Sequence, residues 1–138
     1  MTFALRLAMR AAALLLTLFV LPPAVAQRKP FGAERPCGPG VCVITVTVND
    51  CYAPGGIVVD PDVASTRSPI ILRWVMATSG YEFTDDGIDF EDPDQFIRLS
   101  SPRPNEFRFR NTRTRDGDFY YWVRVRGCRE VDPFIRNN

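Results

Sequence analysis

A run of acidic side chains between residues 82 and 94 is the densest group of potential metal-binding or catalytic residues in the sequence. Clustered carboxylate oxygens are the ligands that calcium prefers, and the candidate ligands would be Asp85, Asp86, Asp89, Glu91 and Asp92. The spacing differs from that of an EF-hand loop, because Gly87 comes too early and Pro93 interrupts the pattern. Asp and Gly are also the usual residues of turns. We therefore interpret the segment as two solvated acidic turns, keep calcium as the alternative, and expect no other metal and no cofactor.

Ten arginines follow the acidic segment. Because the side chains of a strand alternate between its two faces, every second residue from position 120 would point outward in the last long strand. In the preceding strand, Phe107 and Phe109 would point inward and the neighbouring arginines outward. The connection 111–117 has the length and the Asp-Gly ending of a hairpin. If the two strands pair, one outer face carries six candidate binding residues: Arg108, Arg110, Tyr120, Trp122, Arg124 and Arg126.

Such a face has the chemistry of a binding surface for an anionic partner. Guanidinium groups would meet negative charges, and the aromatic rings would stack on sugar rings or other planar groups. The pattern therefore favours an anionic glycan or an acidic protein as the partner. Two other interpretations stay open. The arginine stems could cover the rings and protect the sheet from edge pairing, or the arginines could pair with the acidic turns of the same molecule.

The composition excludes several classes of function. The sequence has no histidine, so His-based catalysis and imidazole metal sites are excluded, and its only lysine is Lys29. Residues 27–138 carry 15 basic and 16 acidic side chains, a net charge of about −1, which argues against a globally basic nucleic-acid binder. We expect a non-catalytic binding or structural module without catalytic residues. The alternative is a small hydrolase or lyase that uses carboxylates and arginine on an anionic polysaccharide.

The first 26 residues have the pattern of a removable signal helix. Arg6 and Arg10 precede an apolar run at 11–21, and the segment 24–26 reads Ala-Val-Ala, a small-x-small cleavage sequence. The run is short for a bilayer span, and the strong preference for arginine over lysine is typical of a GC-rich bacterial genome. We expect export to a bacterial periplasm or the exterior, with no membrane span after cleavage. The predicted segments are a signal peptide at 1–26, a Pro/Gly-rich leading segment at 27–41 and a β-sandwich domain at 42–138.

Four cysteines follow the predicted signal, an even number in an oxidising compartment, which favours two disulfides over a metal site. Four cysteines allow three connectivities. If the first and last long strands lie side by side in parallel, their ends bring Cys51 close to Cys128. Only four residues separate Cys37 from Cys42, so a small ring can close there. We predict the pairs Cys37–Cys42 and Cys51–Cys128.

The composition after the signal is typical of an all-β domain. Residues 27–138 contain 18 Val and Ile and seven Thr, against seven Leu, Ala and Met together. In the most hydrophobic strand, Leu72, Trp74 and Met76 recur at period two, so Trp74 belongs in the core. We predict a single antiparallel-rich β-sandwich of seven or eight short strands. The predicted strands are Val43–Asn49, Ile57–Val59, Pro69–Ala77, Tyr81–Phe83, Ile88–Phe90, Phe96–Leu99, Phe107–Asn111 and Asp118–Gly127.

Spaced aromatic and glycine residues relate these strands to a known group of proteins. The run is Trp74…Tyr81-x-Phe83…Gly87-Ile88-x-Phe90, closed by Cys128-x-x-x-Asp132-Pro133-x-Ile135-x-Asn137. It resembles small exported bacterial β-sandwich proteins of unassigned function. The resemblance covers most of the chain after the signal and implies an immunoglobulin-like or cupredoxin-like architecture. It brings no catalytic motif, and a cupredoxin-type copper site is excluded because it needs histidines.

Overall fold

The computed structural model describes residues 34–138, and this part of the chain is built from strands alone. The strands are β1 (Arg35–Pro36), β2 (Val41–Val48), β3 (Ile57–Asp60), β4 (Val63–Thr66), β5 (Ile70–Met76), β6 (Phe83–Phe90), β7 (Phe96–Leu99), β8 (Glu106–Asn111), β9 (Gly117–Val125) and β10 (Phe134–Asn137). They form two five-stranded sheets, with the order β1-β4-β10-β9-β6 in sheet A and β3-β2-β5-β8-β7 in sheet B. The predicted all-β fold is confirmed as an open sandwich, and the predicted signal helix lies outside the described residues.

Both sheets mix parallel and antiparallel neighbours. Five strand pairs are antiparallel, and three are parallel: β1 with β4, β10 with β4, and β2 with β5. The antiparallel excess agrees with the prediction. No helix among residues 34–138 is long and apolar enough to cross a membrane.

The core lies between the two sheets and is centred on Trp74. Burial alternates along β5, where Leu72, Trp74 and Met76 are buried and the residues between them are partly exposed. The Trp74 ring makes edge contacts with Phe109 of the same sheet at 5.8 Å and with Tyr121 of the opposite sheet at 5.2 Å between ring centroids. Edge-to-face contacts of this kind stabilise aromatic pairs beyond their buried area. The period-two prediction for Trp74 is confirmed.

Three strands of sheet A were not predicted. Strand β4 is buried at all four positions and shows no alternation. Strand β10 has only four residues after a proline. Strand β1 falls in the segment 27–41, expected to lead into the domain, yet it pairs with β4. The two pieces predicted at 81–83 and 88–90 belong to one strand, β6, whose pairing with β9 shifts register between Phe83 and Ile88.

Both predicted disulfides are present, but the geometry that led to the long one was wrong. The Cα atoms of Cys51 and Cys128 are 4.4 Å apart, and those of Cys37 and Cys42 are 5.3 Å apart. Strand β2 lies in sheet B and β9 in sheet A, so the first and last long strands are not neighbours. The bridge Cys51–Cys128 therefore joins strand ends from opposite sheets. The short bridge also connects the sheets, because it links the end of β1 to β2.

Candidate functional site

The six residues predicted to share one arginine–aromatic face lie on different sheets. Strand β8 pairs with β5 and β7 in sheet B, whereas β9 pairs with β10 and β6 in sheet A. The prediction that β8 and β9 form a hairpin is wrong. Arg108 and Arg110 lie on the outer face of sheet B, while Tyr120, Trp122 and Arg124 lie on the outer face of sheet A. Arg126 is exposed just beyond β9.

The connection between β8 and β9 crosses from one sheet to the other over a buried amide cluster. The Asn111 side-chain amide donates to the Asn137 side-chain oxygen at 2.8 Å. The Asn137 amide donates in turn to the Gln95 side-chain oxygen at 3.1 Å. All three residues are buried, and the backbone N–H of Arg113 also donates to Asn111. Buried polar groups require such partners, so this network fixes the crossing where the sequence suggested a hairpin.

On sheet A, Arg124 is bound by carboxylates of its own molecule. Its guanidinium lies 2.8 Å from an Asp86 oxygen and 3.0 Å from oxygens of both Asp89 and Glu130. The hydrogen bond from the Thr84 hydroxyl is the main cause that lowers the pKa of Asp86, and the charge of Arg124 makes a smaller contribution in the same direction. Hydrogen bonds to Glu130 and Asp89 raise the pKa of Arg124. The alternative in which arginines pair with the acidic segment is confirmed for this residue.

Other arginines on the same side of the sandwich follow this pattern. Arg136 of β10 donates to both oxygens of Asp118, at 2.8 and 3.0 Å, and to Glu34 at 2.7 Å. Arg115 lies 2.6 Å from Asp92. The arginines in the strands of sheet A are therefore all paired with carboxylates of the same chain, including Arg35 of β1 with Asp60.

The acidic segment is organised as a strand and its flanks rather than as a cation site. Within residues 34–138, no group of three or more potential ligands is arranged to hold a metal ion, so the calcium alternative has no geometric support. The pKa of Asp92 is lowered, first by its hydrogen bond from Arg115. The pKa values of Asp86 and Asp92 are both lowered, which disfavours the protonated form that a general acid needs.

On sheet B, the outer face carries two arginines without an acidic partner. Among the described residues, Arg108 and Arg110 form no ion pair. Strand register places Arg110 between Ile71 and Ile97, and Arg108 between Arg73 and Leu99. Most of the remaining outward-facing residues are aliphatic or threonine: Val41, Val43, Thr45, Thr47, Val58 and Val75. The exception is Asp60 at the end of β3, which lies 2.9 Å from the guanidinium of Arg35. Val41, Val43 and Ile97 are 46, 48 and 52% exposed, respectively.

Arg73 is the one arginine of this face that is neutralised. Its guanidinium lies 2.8 Å from a Glu106 oxygen, and the Glu106 side chain is almost completely buried. The hydrogen bond from Arg73 lowers the pKa of Glu106, with smaller contributions from the charges of Arg103 and Arg108. Arg73 stands directly opposite Arg108 in the β5–β8 register. Like charges in that position repel each other, so Glu106 stabilises a cluster of positive charge.

The sequence predicts only part of this face. The predicted set includes Arg108 and Arg110 but not the aliphatic residues that surround them. Alternation along β2 could have predicted these residues. Val41 and Val43 alternate with the buried Cys42 and Ile44, so the two valines must face outward.

A scan against models of protein families found no match for this chain, and a search of curated proteins found no similar sequence.

Proposed function

We propose that this protein is an exported, non-catalytic module that binds an acidic protein through the outer face of sheet B. The observation that carries the proposal is that Arg108 and Arg110 lack acidic partners among the described residues, whereas Arg124 and Arg136 on the opposite sheet are each bound by two or more carboxylates. Export is supported by the two disulfides, which fit an oxidising compartment.

The arginines of sheet B form a charged centre within an aliphatic surface. Arg73, Arg108 and Arg110 occupy adjacent strands or alternate positions of one strand. Carboxylates of a partner would relieve their mutual repulsion and add charge-assisted hydrogen bonds. Arginine is enriched at protein interfaces, and exposed aliphatic patches with charged neighbours mark sites of association.

The surroundings of these arginines favour a protein over a glycan. On a flat, open face such as this one, sugar rings are typically bound by stacking on exposed aromatic side chains. Every aromatic residue in the strands of sheet B is buried: Trp74, Phe96, Phe107 and Phe109. The sequence pattern predicts that Tyr120 and Trp122 share a face with Arg108 and Arg110. These two aromatic residues lie instead on sheet A. Exposed Val41, Val43 and Ile97 instead match the apolar part of a protein surface.

Charge also argues against a second copy of this chain as the partner. A two-fold dimer through this face would set a surface against itself. The unpaired arginines of β8 would then approach like charges. An acidic surface on a different protein meets the same groups without that repulsion.

The enzymatic alternative has less support. It would use acids of the segment 82–94, but Asp86 and Asp92 have lowered pKa values and form ion pairs with Arg124 and Arg115. Hydrolysis or elimination of an anionic polysaccharide by the purified protein, abolished by Asp85→Asn or Asp89→Asn, would overturn the non-catalytic assignment.

Charge reversal tests the proposed binding. Complexes would be isolated from cells that produce the wild type, the double variant Arg108→Glu/Arg110→Glu, or the control Arg126→Glu/Arg129→Glu. Both doubles change the net charge equally, and Arg126 and Arg129 are exposed residues outside sheet B. We expect one protein to be retained by the wild type and the control and lost from the first double variant.

The identified partner then provides the decisive step. Replacing acids of its contact surface by arginine should restore binding to Arg108→Glu/Arg110→Glu, and the wild-type complex should weaken as ionic strength rises. Equal retention by both double variants, or equal loss from both, would contradict the proposal.

A further inference from the structure

A cleft opens where the edge strands of the two sheets meet. Strand β6 is the edge of sheet A and β7 is the edge of sheet B. Between them, the loop from β7 to β8 completes a cavity of about 290 Å³. Its polar lining consists of Thr84, Asp85, Arg98, Ser100, Ser101, Arg103 and Glu106. Small-molecule sites begin at about 300 Å³, so the cleft has the size for one ring.

The cleft carries a net positive charge. Arg98 and Arg103 contribute two cations, and the charge of Glu106 is balanced by Arg73 at 2.8 Å. Asp85 is the remaining acid of the lining, and its carboxylate forms no ion pair among the described residues. One unit of positive charge is left for one anionic group of a ligand.

The guanidinium of Arg98 is held in position before any ligand arrives. It lies 4.7 Å from the centre of the Phe107 ring, a cation–π distance, and donates a hydrogen bond to the Asp85 backbone oxygen at 3.1 Å. A guanidinium has five N–H donors in a rigid fork that matches a carboxylate. Arg98 lines the cleft, and the N–H donors that do not bind the Asp85 backbone oxygen are left for a carboxylate of the ligand.

The other lining groups suit hydroxyls. The side chains of Ser100 and Ser101 both donate and accept hydrogen bonds, and the Asp85 carboxylate accepts them. Most small-molecule pockets are apolar with few polar groups, whereas this one is polar at most positions. Its ligand should therefore be hydrophilic as well as anionic.

We propose that this cleft binds a single sugar acid, a six-membered sugar ring that carries a carboxylate. The carboxylate would be bound by Arg98 and Arg103, and the ring hydroxyls by Ser100, Ser101 and Asp85. The site goes beyond the proposed function, because it does not require Arg108, Arg110 or the aliphatic face.

The test is an NMR titration of the purified, disulfide-bonded protein with three probes. D-glucuronate carries both chemical features, D-glucose lacks the carboxylate, and acetate lacks the ring and hydroxyls. We expect glucuronate to shift the backbone signals of Ser100, Ser101 and Arg103 saturably, with glucose and acetate binding at least about tenfold more weakly. Acetate or glucose binding as tightly as glucuronate would overturn the proposal, as would the absence of saturable shifts.

Two variants and a control test whether glucuronate binds in this cleft. Arg103→Gln removes a cation from an exposed loop residue, so it should weaken glucuronate binding about tenfold with only a small change in the unfolding midpoint. Arg98→Lys keeps the charge over Phe107 but loses the fork, and should also weaken binding. Arg126→Gln removes an exposed arginine elsewhere and should leave binding unchanged. Equal loss in Arg126→Gln, or full affinity in both cleft variants, would contradict the assignment.

Discussion

The outer face of sheet A and the outer face of sheet B both carry arginines at alternating strand positions, but their surroundings differ. On sheet A, Arg124 lies within 3.0 Å of three carboxylates, two of them from the acidic segment at β6. On sheet B, Arg108 and Arg110 form no ion pair among the described residues, and their cross-strand neighbours are aliphatic except for Arg73. Arginines at alternating strand positions are thus paired with carboxylates of the same chain on sheet A, whereas on sheet B they are available to a partner.

Topology produces this difference. Strand β6, which carries acids, is the neighbour of β9 in sheet A, so Asp89 lies beside Trp122 in register and close to Arg124. Strand β8 lies between β5 and β7, which contain no acidic residue. An arginine-rich strand becomes a candidate binding surface only when its neighbours leave its charge uncompensated, and strand order decides this.

The largest expected effect tests whether the two faces share one core. Trp74 is fully buried between the sheets, whereas Trp122 is half-buried on the outer face of sheet A. Trp74→Ala should lower the free energy of unfolding by about 3–5 kcal/mol, and Trp122→Ala by much less. Urea unfolding midpoints measure both, and equal shifts would show that Trp122 belongs to the core and not to a surface.

The next effect concerns how the two faces are held together. The bridge Cys51–Cys128 spans 77 positions and Cys37–Cys42 spans 5. The chain-entropy treatment assigns about 4.5 kcal/mol to the longer loop and about 2 kcal/mol to the shorter one. Cys128→Ser should therefore lower the unfolding midpoint more than Cys37→Ser. The reverse order would mean that the connection near β1 dominates the coupling of the sheets.

A third effect concerns the contrast within sheet B, where Glu106 forms an ion pair with Arg73 and with neither Arg108 nor Arg110 among the described residues. Glu106→Gln should lower the free energy of unfolding by about 1–3 kcal/mol at neutral pH. Because folding lowers the pKa of Glu106, its contribution is present above the unfolded-state value of about 4.3 and is lost as the pH falls through the folded-state pKa. The difference between wild type and variant should thus shrink on acidification. A difference that stays constant from pH 7 to pH 2 would contradict the ion pair.

The smallest effect compares the two faces directly. Arg124→Gln removes a bound guanidinium and should cost about 1 kcal/mol at low salt, with less loss at high salt. Arg108→Gln removes an unpaired charge next to Arg73, so stability should be unchanged or slightly higher. Thermal unfolding at two salt concentrations measures both. A greater loss for Arg108→Gln would reveal a stabilising contact of Arg108 and would remove the basis of the comparison.

Much of this architecture follows from local sequence patterns. Alternation in β5 correctly predicts Trp74 in the core. The pairing of Cys51 with Cys128 is also correct, but its premise is wrong, because the strands that were expected to lie side by side belong to different sheets. The hairpin error had a physical cause. Asn111, Gln95 and Asn137 are polar residues that normally remain exposed, and nothing in their spacing shows that they meet in a buried network.

The acidic segment shows a second limit of sequence reasoning. Asp-Asp-Gly is typical of a turn, yet Gly87 lies inside β6. A Cβ atom at this position would lie 2.6 Å from the Phe83 Cβ and 3.0 Å from the Phe107 ring. Gly87 therefore allows the strand to approach the core closely. That requirement depends on which rings pack against β6, so it becomes visible only in three dimensions.

The central claim, that the outer face of sheet B and not that of sheet A binds the partner, is tested most directly by site-specific photo-crosslinking in cells that produce the protein. The photoreactive amino acid p-benzoylphenylalanine would replace either Val43 on sheet B or Trp122 on sheet A. We predict a discrete crosslinked adduct from position 43 that disappears when Arg108→Glu and Arg110→Glu are added, and none from position 122. An adduct from position 122 alone, or one from position 43 that survives both charge reversals, would contradict the claim.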